Sequence, residues 1–290
     1  MKWSLGIAVV CIITLALPLR PLYADWFHVI SGDVHTNTLL DSNIPGNSEY
    51  FSISDNSSGL SIGDSGVITH DDASPDVGDG SETPDINGGS GDDWVFQSGS
   101  YPRTGNQYGY SYYFNLLTNR VPLPDNMLSG TCANMQSPGV YYQNTNSFTI
   151  DCPFPRVPLQ QGKYTFLFSG DVTIRSHIQL QNQDDFVTVI AGGNIIIPDS
   201  MDPSTINDPA LQGLYIADRQ FQTGNGNDDV YMEGIFIAWD SANTGQSFVL
   251  RRDDGNPNDA KEIFVHRPEL LFSFPPELKR SNVSWEEVSP

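Results

Sequence analysis

Short apolar runs recur along residues 164–251, and each run is followed by a small residue and then by Asp or Asn. The runs are rich in Val, Ile, Phe and Tyr, which favour strands, and Gly, Pro, Asp and Asn interrupt the chain too often for an amphipathic helix to fit between them. The Asp or Asn positions follow one another at intervals of 23, 24 and 22 residues, and they are Asp171, Asn194, Asp218 and Asp240. Such a near-constant period indicates stacked repeats.

We therefore predict an all-β fold, a single-stranded right-handed parallel β-helix in which each turn of the solenoid buries one stripe of side chains against the next turn. The Gly, Asp and Asn residues would form its corners, where a positive φ is least costly. The stacking predicts that Phe168, Val189, Ile216 and Ile237 line up in neighbouring turns. An antiparallel β-sandwich also produces many short strands and is the alternative.

The first part of the mature chain fits the same template. Residues 26–38 contain Ser-Gly-Asp-Val, as residues 164–174 do, so we predict that these two segments are adjacent turns. Residues 40–160 would then be a long insertion between them, made of loops and a short helix over 108–117. Nine carboxylates among Gly, Ser, Pro and Asn predict that residues 64–93 of this insertion form an acidic, low-complexity loop.

Three later segments complete the predicted solenoid. The stretch 138–142 predicts a turn into a strand, one turn before Tyr164. Residues 262–266 are predicted as the last strand, and the extended, apolar stretch 267–290, which contains several prolines, as a strap packed along the solenoid or over its end. Residues 25–290 would together form one domain.

The N-terminus predicts export. Lys2 precedes an apolar run from Leu5 to Leu17, and the segment ends with the small residue Ala24. This pattern is typical of a secretory signal peptide over residues 1–24, and an uncleaved anchor is the alternative. No later stretch of the sequence is apolar enough to cross a membrane. We therefore expect a secreted or extracytoplasmic protein, associated with a surface only through contacts.

Cysteine content and charge narrow the picture further. Cys132 and Cys152 predict one disulfide in an exported chain, with two free thiols as the alternative. The net charge of −21 comes from 35 acidic and 14 basic residues. It argues against a nucleic-acid partner, which needs clustered Lys and Arg, and it is compatible with binding of divalent cations.

Several motifs resemble those of a family of exported bacterial β-helix proteins that has no assigned activity. The motifs are Trp26-Phe27-x-Val29-x-x-Gly32-Asp33-Val34-His35, Pro138-Gly139-Val140-Tyr141-Tyr142, Gly193-Asn194-Ile195-x-Ile197, and a closing Arg267-Pro268-Glu269-Leu270-Leu271 with Pro275-Pro276-Glu277-Leu278-Lys279. The resemblance spans most of residues 26–290 and implies export and a β-helix. Residues 164–251 are also similar in style to the polymer-forming β-helices of bactofilins, which implies a fold only.

The acidic corner positions are candidates for catalysis. Equivalent positions on adjacent turns of a β-helix lie about 4.8 Å apart, and glycoside hydrolysis needs two carboxyl groups roughly 5–9 Å apart. Asp171, Asp218 and Asp240 are therefore candidate catalytic residues, with Arg175 and Arg219 placed to hold an acidic sugar. The alternative is that these carboxylates are turn residues bonded to nearby backbone.

Oxygen-rich loops make Ca²⁺ the one candidate cofactor. No loop has the spacing of an EF-hand, so a solvated loop is the alternative in each case. The candidate ligands are Asp76, Asp79, Glu82 and Asp85 in one loop, Asn225, Asn227, Asp228 and Asp229 in a second, and Asp253, Asp254, Asn256, Asn258 and Asp259 in a third. The sequence contains no nucleophile elbow, phosphate loop or dinucleotide fingerprint.

These observations favour an exported structural or adhesive protein of the cell surface or extracellular space, without catalytic activity. Its partners would be glycans or other cell-surface components. Two alternatives stay open: a polysaccharide hydrolase or lyase that uses the corner carboxylates, and a component of a surface filament or secretion apparatus. Corner carboxylates that face a shared groove beside an Arg would favour the enzyme, and carboxylates bonded to backbone would disfavour it.

Overall fold

The computed structural model describes residues 28–30, 34–36, 51–52, 67–70, 95–98, 108–121, 137–151, 161–242, 247–252 and 260–278. The described residues form strands β1 His28–Ile30, β2 Val34–Thr36, β3 Phe51–Ser52, β4 Val67–His70, β5 Val95–Ser98, β6 Gly139–Gln143, β7 Ser147–Ile150, β8 Lys163–Phe168, β9 Asp171–Ile174, β10 Phe186–Ala191, β11 Ile195–Ile197, β12 Leu211–Ala217, β13 Phe221–Thr223, β14 Val230–Ala238, β15 Phe248–Val249 and β16 Glu262–Val265. Helix α1 is Tyr110–Thr118, and two 3₁₀ turns are Pro268–Leu271 and Pro276–Leu278.

The strands stack as a parallel β-solenoid. The first sheet has the order β3-β1-β16-β14-β12-β10-β8-β6, and the second has the order β15-β13-β11-β9-β7. Between β6 and β15, each turn of the chain gives one strand to each sheet. The neighbouring strands in both sheets are parallel. This topology confirms the predicted all-β solenoid and excludes the antiparallel sandwich.

Aromatic and aliphatic side chains stack in register inside the solenoid. Phe166, Val189, Tyr215 and Phe236 stand opposite one another on β8, β10, β12 and β14 and belong to the central apolar cluster. The rings of Tyr215 and Phe236 lie 5.2 Å apart with an angle of 4° between their planes. Each turn thus buries its inward side chains against the next turn, which is the main source of stability in a solenoid.

One predicted column is out of register. The prediction placed together Phe168, Val189, Ile216 and Ile237. Ile216 and Ile237 are indeed partners, but Val189 lies opposite Tyr215 and Phe168 lies opposite Ala191. The error arises because all six residues of β10 are buried. A strand that is apolar on both faces has no alternation from which the direction of each side chain can be predicted.

The N-terminal strands lie at an unexpected place in the stack. β1 pairs with β16, with Val29 opposite Phe264, and β3 extends the first sheet beyond β1. The predicted contact between residues 26–38 and residues 164–174 is therefore wrong. β16 is the last strand in chain order among the described residues, as predicted, but β1 and β3 extend the sheet beyond it. The shared Ser-Gly-Asp-Val suits a corner in any turn of a solenoid, so it cannot specify which turns are neighbours.

Residues 40–160 consequently do not connect adjacent turns. Within this range β3 lies at one end of the first sheet, β4 and β5 pair with β2 in a third sheet, and β6 lies at the opposite end of the first sheet. β6 pairs with β8, with Gly139 opposite Tyr164. This pairing confirms the strand predicted one turn before Tyr164.

Helix α1 lies along the outer face of the first sheet and crosses several turns. Its first residue, Tyr110, bonds to Asp218 after β12, and Phe114 contacts Tyr142 of β6 with ring centroids 5.1 Å apart. A helix advances about 1.5 Å per residue, so residues three or four apart meet strands about 4.8 Å apart. The structure confirms the predicted helix and buries Leu117 completely. Among the described residues, no helix has the length and apolar character needed to cross a membrane.

The C-terminal segment packs on the same outer face. Leu270 and Phe274 join the apolar cluster around Ile190, and Leu278 packs with Leu117 of α1. The described part of this segment, residues 267–278, is called the strap below. Helix α1 and the strap thus cover apolar side chains on the outer face of the first sheet.

Candidate functional site

The turns between strands carry polar side chains that hydrogen-bond to the backbone of a neighbouring turn. Asp171 Oδ1 accepts a hydrogen bond from the Asn194 amide at 2.7 Å, and Asn194 Oδ1 accepts one from the Gln220 amide at 3.1 Å. Asp199 Oδ1 accepts one from the Asn225 amide at 2.6 Å. These side chains therefore replace strand-to-strand hydrogen bonds where the strands end.

Asp218 stands apart from this ladder. Ala217 is the partner of Ala191 on the neighbouring strand. Asp218 therefore lies two residues before the position of its own turn that stands opposite Asn194. Its Oδ1 accepts a hydrogen bond from the Tyr110 amide at 2.7 Å. Gly109, the N-cap of α1, provides no side-chain cap, and a Cβ at this glycine would overlap the Asp218 carboxylate.

The carboxylate of Asp218 thus caps α1 from another part of the chain. A negative charge at this position also interacts favourably with the positive end of the helix dipole. Burial raises the pKa of Asp218 above its usual value, and the hydrogen bond from Tyr110 opposes that rise. The raised pKa therefore follows from the burial of an anchoring carboxylate.

The other predicted catalytic residues lie around the same turn. Asp240 is buried and has a positive φ of 45°, and its amide donates to the Arg219 carbonyl at 2.8 Å. The Arg219 side chain is exposed. Because the turns differ in length, Asp171, Asp218 and Asp240 do not form the single column that the period suggested. Arg175 pairs with the exposed Asp151 at 3.7 Å.

Two of the predicted calcium loops and the predicted disulfide lie outside the residues that the structure describes. They comprise Asp76, Asp79, Glu82, Asp85, Asp253, Asp254, Asn256, Asn258, Asp259, Cys132 and Cys152, and the same holds for Asp33 and for the signal segment 1–24. These assignments stay predictions. No group of three or more His, Cys, Asp or Glu side chains in the described part of the chain is arranged to hold a metal.

The third calcium candidate, residues 225–229, is organised by cations of the protein itself. The Arg252 guanidinium is fully buried and donates to the carbonyl oxygens of Pro198 at 2.6 Å and Asp228 at 3.2 Å. Lys261 Nζ lies 2.9 Å from Asp229 Oδ1. Arg252 therefore binds carbonyl oxygens of two successive turns, which is a role that a bound cation also performs in loops of this kind.

A buried carboxylate next to Arg252 was not anticipated from the sequence. Glu262, the first residue of β16, is fully buried, and its Oε1 accepts hydrogen bonds from the Thr223 hydroxyl at 2.5 Å and the Arg252 amide at 2.9 Å. Its Oε2 and Arg252 Nε are buried and have no hydrogen-bond partner among the residues that the structure describes. Burial raises the pKa of Glu262 to about 7, against the hydrogen bonds and the charge of Arg252.

The strap is attached to the first sheet by a second charged cluster. Arg267 bonds to the carboxylates of Glu233 and Glu269, and Glu233 is buried and also accepts a hydrogen bond from Gln212 at 2.6 Å. The Arg267-Pro268-Glu269 motif therefore fixes the point where the chain leaves β16. The motif is recognisable in the sequence, but the role of its Arg is not.

The outer face of the second sheet differs from that of the first. On β7, β9, β11 and β13 its outward side chains are half-buried or exposed, whereas Val249 of β15, the partner of Gln222, is buried. Those of β7, β9, β11 and β13 form an in-register row, called the outer strip, that consists of Thr149, Thr173, Ile196 and Gln222. The alternation of polar and apolar residues in β7 and β9 carries this signal in the sequence.

A groove adjoins one end of the outer strip. It has a volume of about 450 Å³ and is lined by ten residues, among them Ile196, Gln222, Asp199, Asn225 and Arg251. A volume of this size accommodates a small organic group such as a sugar ring. The outer strip and the groove are the candidate binding surface among the described residues.

The chain was compared with protein-family models, with curated proteins and with solved structures. None of the three comparisons returns a match. The resemblance to exported bacterial β-helix proteins therefore stays a prediction from the sequence motifs, and the β-solenoid fold is established by the strand pairing alone.

Proposed function

We propose that this protein is an exported structural or adhesive solenoid that acts by binding through its surface and not by catalysis. The observation that carries the proposal is the contrast between the two sheets. Apolar side chains on the outer face of the first sheet are covered by α1 and the strap, whereas β7, β9, β11 and β13 of the second sheet present a regular row of half-buried or exposed side chains. A rigid row of this kind suits recognition of an extended partner.

The use of the turn carboxylates supports a role in the scaffold. Asp171 bonds to the amide of the next turn, and Asp218 bonds to the first amide of α1. A hydrolase needs two carboxyl groups that converge on one bond of the substrate. These two carboxylates each hold a different backbone segment, and Asp171 and Asp218 lie at different positions of their turns.

The proposal is tested with purified chain 25–290 on bacterial surfaces and on a glycan array, each in Ca²⁺ and in EDTA. We expect saturable binding without release of reducing ends. Asp171→Asn and Asp218→Asn should bind as the wild type does, because the substituted amide keeps an acceptor oxygen. The absence of binding on every surface would contradict the proposal. Release of sugar products that is lost in either variant would instead support the hydrolase or lyase.

A further inference from the structure

The outer strip repeats once per turn of the solenoid. Thr149 and Thr173 are direct partners on adjacent strands, and Thr173 is in turn the partner of Ile196. Neighbouring strands lie about 4.8 Å apart. An extended β-linked polysaccharide advances by nearly the same length with each sugar ring. A glycan chain that runs parallel to the solenoid axis therefore meets one side chain of the row with each ring.

The side chains of the strip have the chemistry that sugar rings need. Among the described residues, no group hydrogen-bonds to the hydroxyls of Thr149 or Thr173, so both can donate to and accept from a ligand. Ile196 offers an apolar surface to the C–H face of a ring. Gln222 donates an amide hydrogen to Gln220 at 2.7 Å, and its carbonyl oxygen remains as an acceptor.

Charge favours a neutral polymer over an acidic one. Arg175, at the edge of the strip, is paired with Asp151 at 3.7 Å, and Arg251 shares the groove with Asp199. Arg175 is thus neutralised by an ion pair, and the groove that contains Arg251 also contains a carboxylate. The net charge of −21 repels polyanions at long range.

We propose that the outer strip and the adjoining groove bind an extended, neutral, β-linked polysaccharide whose chain lies parallel to the solenoid axis. The inference rests on the proposed binding function and names the class of partner and its orientation. It predicts that affinity rises with the number of rings up to the length of the strip. A single sugar would contact one turn only.

The test measures binding of β-1,4-linked glucan, mannan, xylan and chitin oligosaccharides of two to six rings, with polygalacturonate as the acidic counterpart. The strip is blocked by the double variant Thr149→Arg/Thr173→Arg. The matched control is Gln183→Arg, because Gln183 is exposed and lies on the connection between β9 and β10. Thermal unfolding of all three proteins establishes that the variants are folded.

We expect at least one neutral series to bind with an affinity that increases with length. The strip variant should bind about ten-fold or more weakly, as loss of central contacts usually produces, and the control should bind as the wild type does. Equal binding by the strip variant and the wild type, or binding of polygalacturonate alone, would contradict binding of a neutral polysaccharide at the outer strip but leave the proposed function standing. Binding to cells without binding to any glycan would also contradict polysaccharide binding at the outer strip. Absence of all binding would contradict both proposals.

Discussion

Replacement of Glu262 by Gln should stabilise the protein at alkaline pH. Glu262 is fully buried, and its pKa is about 7 in the folded chain, against 4.5 for an ordinary Glu. The folded state therefore holds a proton that the unfolded state has already released between these two values. The contribution of Glu262 to stability is fully present below pH 4.5 and is lost as the pH rises through 7, because the folded state must then bury a charge. A neutral Gln keeps an acceptor for Thr223 and avoids that cost.

The magnitude follows from the difference between the two pKa values. Each pKa unit corresponds to about 1.4 kcal/mol, so the advantage of Glu262→Gln should grow by about 2–3 kcal/mol between pH 5 and pH 8. The attraction of the nearby Arg252 guanidinium is already included in this pKa. The gain is an upper limit, since an interior that rearranges around the charge reduces the cost of burying it.

Urea unfolding followed by circular dichroism at several pH values measures this difference directly. Asp184→Asn is the matched control, because Asp184 is exposed and its substitution should leave the pH dependence unchanged. The reasoning is refuted if the gap between Glu262→Gln and the wild type does not change with pH. It is also refuted if the variant is the less stable protein at pH 8, since Arg252 would then hold the carboxylate in its ionised form.

Three further predictions concern the attachments of the solenoid. Arg267→Met leaves the buried Glu233 without its cation and should lower the free energy of unfolding in urea by about 2–4 kcal/mol. The control Glu269→Gln changes a half-exposed carboxylate and should lower it by less than about 1 kcal/mol. Equal losses in the two variants would show that Glu233 does not depend on Arg267. Asp218→Ala removes the cap of α1 and should lower the free energy of unfolding by about 1–2 kcal/mol and speed amide hydrogen exchange at residues 110–113. Gly109→Ala should have the same effect, because its Cβ displaces the Asp218 carboxylate. Unchanged exchange in both variants would show that Asp218 does not cap the helix. Intact-mass measurement of the secreted chain with and without reductant should show one disulfide between Cys132 and Cys152, and alkylation of both thiols without reductant would contradict it.

The parallel stacking was predictable because the sequence repeats its turns. The corner residues recur at a near-constant interval, and the apolar runs between them have strand-forming composition. The short helix over 108–117 was predictable because Tyr113, Leu116 and Leu117 fall on one side of a helix. These signals are local, and the structure preserves them because each turn of a solenoid contacts only its neighbours.

The order of the turns was not predictable from the same signals. β1 pairs with β16, far away in sequence, whereas β6 lies at the opposite end of the first sheet. A sequence repeat predicts the structure of each turn but not the order in which the turns stack. The register failed where strands such as β10 are buried on both faces, because α1 and the strap cover the side that would otherwise be polar.

The candidate site was predicted only in part. The period identified Asp171 and Asn194 as equivalent, and the structure places them on adjacent turns. The period could not reveal that Asp218 caps a helix more than a hundred residues earlier in the chain, because that contact depends on where α1 packs on the first sheet. The cluster of Glu262, Thr223 and Arg252 joins three separate turns, and each residue alone is ordinary in its local sequence.

Cysteine cross-linking across the second sheet tests the stacking of neighbouring turns most directly. In a chain with Cys132 and Cys152 replaced by Ser, Thr149→Cys and Thr173→Cys stand opposite each other on adjacent strands, at a spacing of about 4.8 Å that allows a disulfide. Thr149→Cys with Gln222→Cys is the control, since three strand spacings, roughly 14 Å, separate these positions. We predict that mild oxidation closes the first pair within one molecule and leaves the second pair open. Closure of the second pair, or failure of the first pair in a folded protein, would contradict the stacked arrangement.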